Sequence, residues 1–390
     1  MPDVVVIGGG IIGVACAREL ARGGASVTLL EKDELAAGAS GRNLGYLDTS
    51  KDPVLAPPAR AGLGIYLEVA DAAAFPVFLD RDPIGTLAVT LDEDELDGLR
   101  EWIDAAVAVG VPVERVEPAE LARLEPALSP AVIEAWLLRE GHRVDPTALT
   151  VAMAADAREH GATVRHHVAA RRLIVWSDRV TGVMTDDGPI SADVTVLAAG
   201  PWSASLLRPA GVPVPVAGAR GWLVQVAPAR PTITRWIQAG ARRLPGREGP
   251  IEAPVPLRAF AGGARTTEVL PFLQPAPDGT VIAGTSREPS LAADAVEVDV
   301  PRAVAEQAAR LVPELADASV LSTWSGVRPV SPDERPLIGS VLDGLVLASG
   351  HGSEGVILAG GTGRLVRALV LGEEPPFDPA PFDPVRSGRG

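Results

Sequence analysis

The amino-acid sequence predicts an α/β protein with a Rossmann-like nucleotide-binding domain and a second, α+β domain built on a mixed or antiparallel sheet. Three observations predict this fold class. A glycine turn joins a strand to a helix at the N-terminus, strand and helix patterns of the same kind return twice later, and proline- and glycine-rich strand patterns lie between them. The nucleotide-binding domain is therefore expected to be assembled from segments that are separated in the sequence.

The N-terminal unit has the order strand, glycine turn, helix, strand, acid. An apolar run at residues 4–7 predicts the first strand, an alanine-rich amphipathic stretch to residue 22 predicts the helix, and residues 26–30 predict the second strand. Glu31 follows at the end of that strand, eighteen residues after Gly13. A carboxylate at this place accepts hydrogen bonds from a ribose diol, so the unit predicts a cofactor that contains ADP-ribose.

Each residue of the glycine turn has a separate expected role. Gly8 allows the tight turn, Gly10 lets the backbone approach a pyrophosphate, and Gly13 lets the helix pack closely on the sheet. Ile11 and Ile12 open the helix, whose unpaired N–H groups and positive dipole end would face the phosphates. This unit alone leaves NAD and FAD as open alternatives.

Composition limits the function further. The 390-residue chain carries a formal net charge of −15, which opposes binding to nucleic acid or to anionic membranes. No apolar stretch approaches the roughly twenty residues of a membrane span. The first strand begins by Val4, which leaves no room before it for a secretory signal. We therefore expect a soluble, cytoplasmic protein without a membrane span.

Cysteine, lysine and histidine usage excludes several chemistries. The single cysteine, Cys16, allows no disulfide framework or thiolate metal cluster and is expected to be a small buried residue. Only two lysines are present, Lys32 and Lys51, so a Schiff-base mechanism has few candidates. No metal site is predicted because the five histidines show no ligand spacing. These are His142, His160, His166, His167 and His351.

Later segments complete the predicted domains. Residues 146–160 predict a helix, residues 192–200 a buried strand ending in a glycine turn, and residues 345–349 a strand before a helix that starts near Gly355. Short helices with acidic caps are expected within residues 74–140. The predicted nucleotide-binding domain comprises residues 1–73, 141–211 and 326–372, the substrate or cap domain comprises residues 74–140 and 212–325, and residues 373–390 form an extended C-terminal tail.

Six motifs occur along the chain in a fixed order. They are GGGIIG at residues 8–13, AAGASGRNLG at 36–45, VDP at 144–146, LAAGPWS at 197–203, WSGVRP at 324–329 followed by PDERPLIG at 332–339, and GHGSEGV at 350–356. With these motifs the chain resembles the glycine oxidase and D-amino-acid oxidase family of FAD-dependent amine oxidoreductases, which includes sarcosine oxidases and amino-acid or opine dehydrogenase subunits. The resemblance covers most of the chain and favours FAD as the cofactor.

The resemblance implies a set of FAD-binding residues. The residues 36–45 would wrap the pyrophosphate and reach the isoalloxazine, and Val168 would meet the adenine. The FAD is expected to be non-covalent, because no cysteine lies near the C-terminus. Beside the glycine turn and Glu31, the implied residues are Lys32, Ser40, Arg42, Asn43, Leu44, Gly45, Val168, Ala199, Gly200, Gly350, Gly352, Gly355, Val356 and Ile357.

The resemblance also implies the reaction and its candidate residues. The family passes a hydride from the substrate Cα to flavin N5 and leaves an imine that water hydrolyses. Arg328 matches the arginine that binds the substrate carboxylate, for which a guanidinium fork is suited. Tyr46 either lines the substrate pocket or simply packs. His351 and Ser353 belong to a turn whose backbone N–H groups would stabilise negative charge on the reduced ring.

Glu354 marks a departure from the glycine oxidase pattern, which has different residues here, including a basic one. Its carboxylate is expected either to attract a substrate ammonium or to be a solvated acid at a helix start. The substrate therefore stays open among glycine, sarcosine, a D-amino acid, an imino acid, an opine and a biosynthetic amine.

Rival functions and partners remain. An NAD-dependent dehydrogenase would explain residues 1–31 but not the later motifs. A flavin-carrying subunit of a multi-subunit amino-acid or opine dehydrogenase is the other alternative. The expected partners are an amino-acid or amine substrate and an electron acceptor, either oxygen or a partner protein, with a homo- or hetero-oligomer open. A hydrolase is set aside because no histidine follows Ser353 to complete a triad.

Overall fold

A computed structural model describes residues 1–230, 232–240, 242–243, 267–291 and 298–386 of the chain. Within these residues the strands form two large sheets, of six and nine strands, and two small ones. The six-stranded sheet is mostly parallel and the nine-stranded sheet is mostly antiparallel. The predicted fold class, a Rossmann-like α/β unit with a second mixed-sheet unit, is confirmed.

The six-stranded sheet has the N-terminal strand, Asp3–Ile7, at its centre. This strand pairs in parallel with Ser26–Leu30 on one side and with Val194–Leu197 on the other. Its four apolar residues are buried, as expected of a parallel strand covered on both faces. Across the sheet the strands follow the order Leu337–Leu342, Leu345–Ser349, Val194–Leu197, Asp3–Ile7, Ser26–Leu30 and Thr163–Arg165.

Helices cover this sheet and bury its core. Ile11–Arg22 packs against Gly355–Leu371 and Pro146–Glu159, and Gly355–Leu371 also packs against Ala56–Ala72. Cys16 is fully buried in the first of these helices, as predicted. In sequence order the helices of the described residues are Ile11–Arg22, Ala56–Ala72, Leu96–Ala108, Pro118–Leu124, Pro146–Glu159, Ser203–Leu207, Asp299–Leu311 and Gly355–Leu371.

The nine-stranded sheet is antiparallel except where Trp236–Gln238 runs parallel to Thr86–Thr90. The predicted strand patterns at residues 221–226 and 280–284 fall in Ala217–Ala227 and at the start of Val281–Pro289. The strands follow the order Ser319–Val330, Ala217–Ala227, Val281–Pro289, Glu268–Pro275, Trp236–Gln238, Thr86–Thr90, Glu134–Leu138 and Val113–Arg115, and Arg242–Arg243 pairs with Glu268–Pro275.

Two features bear on the predicted domain boundaries. Residues 74–140 form the expected helices and also supply three strands to the nine-stranded sheet, which the local sequence pattern did not predict. The edge strand Ser319–Val330 is continuous through residue 326, where a boundary was predicted. The division into domains remains a proposal.

The remaining elements are small. An antiparallel three-stranded sheet contains Ala170–Trp176, Arg179–Thr185 and Gly188–Ser191, and Tyr46–Leu47 pairs with His142–Arg143. The segment 373–386 lies on the fold, because Phe382 is 2% exposed and Arg386 forms an ion pair with Asp333. Among the residues that the structure describes, no helix has the length and apolar character needed to cross a bilayer.

Candidate active site

A cavity of about 460 Å³ lies at the carboxyl ends of the parallel strands. Its walls come from the turns that follow the strands Asp3–Ile7, Ser26–Leu30, Val194–Leu197 and Leu345–Ser349, and from the edge strand Ser319–Val330 of the nine-stranded sheet. In open parallel sheets, ligands bind in this crevice outside the strand ends. The cavity is therefore the candidate site for both cofactor and substrate.

Most of the residues that the sequence implicated line this cavity. The lining includes Gly8, Gly10, Ile11, Ile12, Glu31, Lys32, Ser40, Arg42, Asn43, Val168, Ala199, Gly200, Arg328, His351, Gly352, Ser353, Gly355 and Val356. The candidates outside the lining are Gly13, Leu44, Gly45, Tyr46, Gly350, Glu354 and Ile357.

The glycine turn brings a helix N-terminus to the cavity. Gly8 adopts a φ of +113°, and a Cβ on Gly13 would lie 1.9 Å from the carbonyl oxygen of Gly8. Gly13 thus permits close packing, as predicted, although it does not reach the cavity. Gly10 supplies no side-chain cap, and the N–H of Ile11 donates to Ser40 Oγ at 2.9 Å. This end of the helix offers backbone N–H groups to an anion such as a pyrophosphate.

Glu31 lies at one end of the cavity. Its Oε2 accepts the N–H of Gly9 at 2.6 Å and its Oε1 accepts the N–H of Asp33 at 2.8 Å. The backbone N–H of Val168 donates to the carbonyl oxygen of Glu31 at 2.9 Å, which places residue 168 beside the acid. The geometry agrees with a ribose and adenine end at this position.

Asn43 fixes the loop of residues 36–45, part of which lines the cavity. Its Nδ2 donates to the carbonyl oxygens of Ala39 at 3.0 Å and Ser40 at 2.7 Å, while its Oδ1 accepts the N–H of Gly45 at 2.7 Å. These bonds fix the backbone of the loop. Leu44 points away from the cavity, toward Gly284 of the nine-stranded sheet. The loop therefore contacts the nine-stranded sheet as well as lining the cavity.

The turn that begins at Gly350 forms another wall of the cavity. The N–H of Gly352 donates to the carbonyl oxygen of Pro329 at 2.7 Å, which ties the turn to the edge strand. His351 is 2% exposed, and its Nε2 lies 3.0 Å from Thr362 Oγ1. Burial lowers the pKa of His351 to about 3, so the ring is neutral at physiological pH. No cation from this side chain stabilises a reduced flavin, and the backbone of the turn is left for that role.

These residues fit an FAD. The cavity runs from an acid suited to a ribose, past an open helix N-terminus, to a turn at the start of the helix Gly355–Leu371. A Cβ at Gly200 would meet no atom within 4 Å, so that wall presents backbone to open space. The site would hold the cofactor through backbone N–H groups and one carboxylate.

Arg328 lies at the boundary between this cavity and the nine-stranded sheet. Its guanidinium donates to Thr285 Oγ1 at 2.8 Å and to the carbonyl oxygen of Ser286 at 3.1 Å. It forms no ion pair with any residue that the structure describes. Burial, and then the nearby charge of Arg287, lower the pKa of Arg328 to about 10, against the opposing effect of Glu334. Arg328 remains a cation at physiological pH.

Tyr46 packs in an aromatic cluster beyond the loop. Its ring centroid lies 4.7 Å from that of Trp236 and 4.8 Å from that of Phe272. Its hydroxyl lies 2.9 Å from Thr86 Oγ1. Burial, and then the charge of Asp48, hold the pKa of Tyr46 well above its usual range. Of its two predicted roles, these contacts favour packing.

Glu354 faces the segment 48–52 and makes no side-chain cap at its helix. Burial raises its pKa to about 7, with further increases from Asp48 and Asp52, while a hydrogen bond from Ser50 and the charge of Lys51 oppose the shift. Its Oε2 is buried and has no hydrogen-bond partner among the described residues. Glu354 is therefore a partly buried group of a charged cluster, and the expectation of a solvated acid is wrong.

Several residues that surround the candidates carry no recognisable sequence pattern. Thr285 and Ser286 contact Arg328 from about forty positions away in the chain, and no local pattern marks them. Asp48 and Lys51 form an ion pair at 2.9 Å directly after the flavin-side loop. Their spacing of three residues, immediately after a recognised motif, was the available signal.

The fold and cavity define a class, the dinucleotide-dependent oxidoreductases of Rossmann-like architecture. Comparison with known proteins refines that class. The chain belongs to the DAO family of FAD dependent oxidoreductases, whose family model matches residues 3–369.

Individual relatives agree with this assignment. The glycine oxidase of Pseudomonas aeruginosa is 29% identical over 388 residues, which cover 98% of each chain. The crystal structure of glycine oxidase from Geobacillus kaustophilus superposes with a TM-score of 0.83 and 25% identity, covering 99% of this chain and 98% of that one. Iminodiacetate oxidase from Chelativorans sp. BNC1 gives a TM-score of 0.77 and 26% identity over 98% of both chains.

The comparisons confirm the predicted family, the FAD cofactor and the predicted enzyme class, an FAD-dependent oxidoreductase that oxidises C–N bonds. The two alternatives, an NAD-dependent dehydrogenase and a flavin-carrying subunit of a multi-subunit amino-acid or opine dehydrogenase, are not favoured.

Proposed function

We propose that this enzyme oxidises the C–N bond of an α-amino acid, or of an N-substituted α-amino acid, whose carboxylate is bound by Arg328. The observation that carries the proposal is the hydrogen bonding of Arg328. Its charged guanidinium uses only the neutral acceptors Thr285 and Ser286 among the described residues.

The positive charge of Arg328 has no anionic partner among the described residues. A guanidinium withdrawn from water costs free energy unless an anion pairs with it. Glu334, the carboxylate whose charge acts on Arg328, is already paired with Arg287. A substrate carboxylate would supply the missing partner through two parallel hydrogen bonds, for which the guanidinium fork is suited.

The residues of the chain would then orient the reacting carbon. Bound FAD would supply the acceptor for the hydride equivalent that leaves the substrate Cα. Arg328 would hold the carboxylate at the cavity wall, and the backbone N–H groups of the turn after Gly350 would stabilise negative charge that develops on the cofactor ring. Water hydrolyses the resulting imine. Neutral His351 and Ser353 line the site without adding charge.

Several finer assignments are proposals of the same kind. The electron acceptor is oxygen or a partner protein. Neither of the two lysines, Lys32 and Lys51, lies in residues 212–325, the region in which sarcosine oxidases carry an oxygen-activating lysine. A cytoplasmic location is supported by the single cysteine, because secreted proteins of this size commonly carry disulfides. An oligomer, with the same or another chain, stays an open proposal.

Paired donors test the proposal. The bound flavin of wild type and Arg328→Met is titrated anaerobically with glycine, sarcosine, proline and iminodiacetate, and with methylamine, dimethylamine and pyrrolidine, which lack the carboxylate. We expect at least one carboxylate-bearing donor to reduce the wild-type flavin far better than its partner. Arg328→Met should retain FAD and lose about 100-fold or more in reduction efficiency, as for a buried charge pair that loses one member. Equal reduction by an amine and its amino acid would refute the proposal.

A further inference from the structure

The guanidinium of Arg328 crosses one strand to reach another. Arg328 lies on Ser319–Val330, opposite Ala219 of the neighbouring strand Ala217–Ala227. Its hydrogen-bond acceptors, Thr285 and the carbonyl of Ser286, lie on the next strand, Val281–Pro289. The guanidinium therefore extends over the middle strand, along the face of the sheet.

Gly221 leaves the space for this crossing. A Cβ on Gly221 would lie 2.1 Å from Arg328 Nη1 and 2.7 Å from Thr285 Oγ1. Since real Cβ atoms never approach so closely, any other residue at 221 would displace the guanidinium. The middle strand thus forms the floor of a slot, and Thr285 and Ser286 close its far end.

The hydroxyl of Thr285 donates one hydrogen bond and accepts another. It donates to the carbonyl oxygen of Ser286 at 3.3 Å, so its lone pairs are available to accept from Arg328 Nη2 at 2.8 Å. Both acceptors of Arg328 are neutral. They fix the plane of the guanidinium while leaving its positive charge, and its remaining N–H donors, for a ligand.

A carboxylate at the far end of the slot would have neutralised Arg328. Instead, the nearby Glu334 pairs with Arg287, whose positive charge opposes that of Arg328. The slot therefore orients Arg328 through neutral contacts and reserves the ion pair for another molecule.

From this geometry we propose that Thr285 is a positioning residue, which holds the guanidinium of Arg328 in the orientation that receives the substrate carboxylate. The inference rests on the proposed function of Arg328. If it is correct, loss of the Thr285 hydroxyl should weaken carboxylate binding and change the rate of hydride transfer from bound substrate only slightly.

The test compares Thr285→Val, which removes the acceptor at similar shape, with Thr285→Ser, which keeps it. FAD-loaded proteins are titrated with acetate, the simplest carboxylate, and with neutral acetamide, following the flavin absorbance. We expect Thr285→Val to weaken acetate binding about 10-fold or more, the loss of one hydrogen bond to a charged group. Thr285→Ser should restore most of the affinity, and acetamide binding should not change.

Substrate kinetics give a second readout. With whichever amino acid reduces the flavin, Thr285→Val should raise the concentration for half-maximal reduction while the limiting reduction rate stays within about two-fold. Thr181→Val, which removes a threonine hydroxyl from the small three-stranded sheet, is the matched control. If Thr285→Val does not fold, Thr285→Ala is compared with Thr285→Ser in the same way.

The outcomes separate the two proposals. Unchanged acetate binding in Thr285→Val, together with weakened binding in Arg328→Met, would overturn the role of Thr285 alone. Unchanged binding in Arg328→Met would overturn the proposed function. In the double variant, adding Thr285→Val to Arg328→Met should weaken acetate binding little further. If Thr285→Val weakens acetate binding in the Arg328→Met background as much as it does in wild type, Thr285 acts independently of Arg328 and the inference is overturned.

Discussion

The carboxylate of Glu31 accepts the backbone N–H of Gly9 at 2.6 Å, which joins the end of the second strand to the glycine turn of the first. The acid is thereby held at the cofactor cavity by the backbone of the same motif that approaches the phosphates. One contact thus connects the two parts of the fingerprint, the turn and the ribose-binding acid.

Substitution of this acid should weaken FAD binding. Glu31→Gln keeps the size of the side chain but removes the negative charge that accepts hydrogen bonds from a ribose and from Gly9. We expect the dissociation constant of FAD to rise about 10-fold or more, which corresponds to one charge-assisted hydrogen bond. Equilibrium titration of the apoprotein with FAD measures it. Unchanged affinity would contradict the placement of the ribose beside Glu31.

Arg328→Lys should separate charge from shape. The lysine keeps a positive charge at the sheet face but loses the planar fork and the paired contacts to Thr285 and Ser286. We expect kcat/KM to fall by about 10- to 100-fold, less than in Arg328→Met, because one point charge remains. Steady-state assays with the best amino-acid donor check this order. Equal activities of the lysine and methionine variants would show that a point charge alone contributes nothing at this position without the guanidinium fork.

Glu354 should make stability dependent on pH. Its folded-state pKa of about 7 lies above the ordinary value of 4.5, so its contribution is fully present below about pH 4.5 and is lost as pH rises through 7. Glu354→Gln stays neutral throughout. We therefore expect the variant to match wild type at pH 4.5 and to exceed it at pH 8, by at most about 3 kcal/mol.

Chemical denaturation of the FAD-loaded proteins across this pH range measures the effect. The exposed Glu374→Gln is the control and should show no such difference. A Glu354→Gln variant that is less stable than wild type at pH 8 would mean that the ionised carboxylate is satisfied in the protein.

Tyr46→Phe tests whether this residue packs or contacts the substrate. The substitution keeps the ring contacts with Trp236 and Phe272 but removes the hydrogen bond to Thr86. We expect a loss of about 1 kcal/mol of stability and a KM within two-fold of wild type. A large rise in KM with unchanged stability would instead place the hydroxyl at the substrate.

The sequence predicted the parts of the fold whose signals are local. The strand Ser26–Leu30, the strand Leu345–Ser349 and the helix start at Gly355 lie where the apolar runs and glycine turns placed them. A buried parallel strand and a helix that follows a glycine turn each carry their pattern within a few residues. The cofactor end of the site could be predicted for the same reason.

The substrate end could be predicted only in part. The motif marked Arg328, but its contacts with Thr285 and Ser286 form between strands that are paired through a third strand. Strand register and side-chain direction decide such contacts, and neither is encoded in a short pattern. The same reason applies to Glu354, whose side chain meets a segment about three hundred residues earlier in the chain.

The most direct test of the central claim is an anaerobic absorbance titration of the purified protein. Its flavin band is followed as amino acids, N-methyl amino acids and iminodiacetate are added, with glycerol 3-phosphate as a C–O donor for comparison. The account predicts a bound flavin that a carboxylate-bearing C–N donor bleaches and glycerol 3-phosphate does not. Bleaching by glycerol 3-phosphate alone, or a protein that binds no flavin, would contradict it.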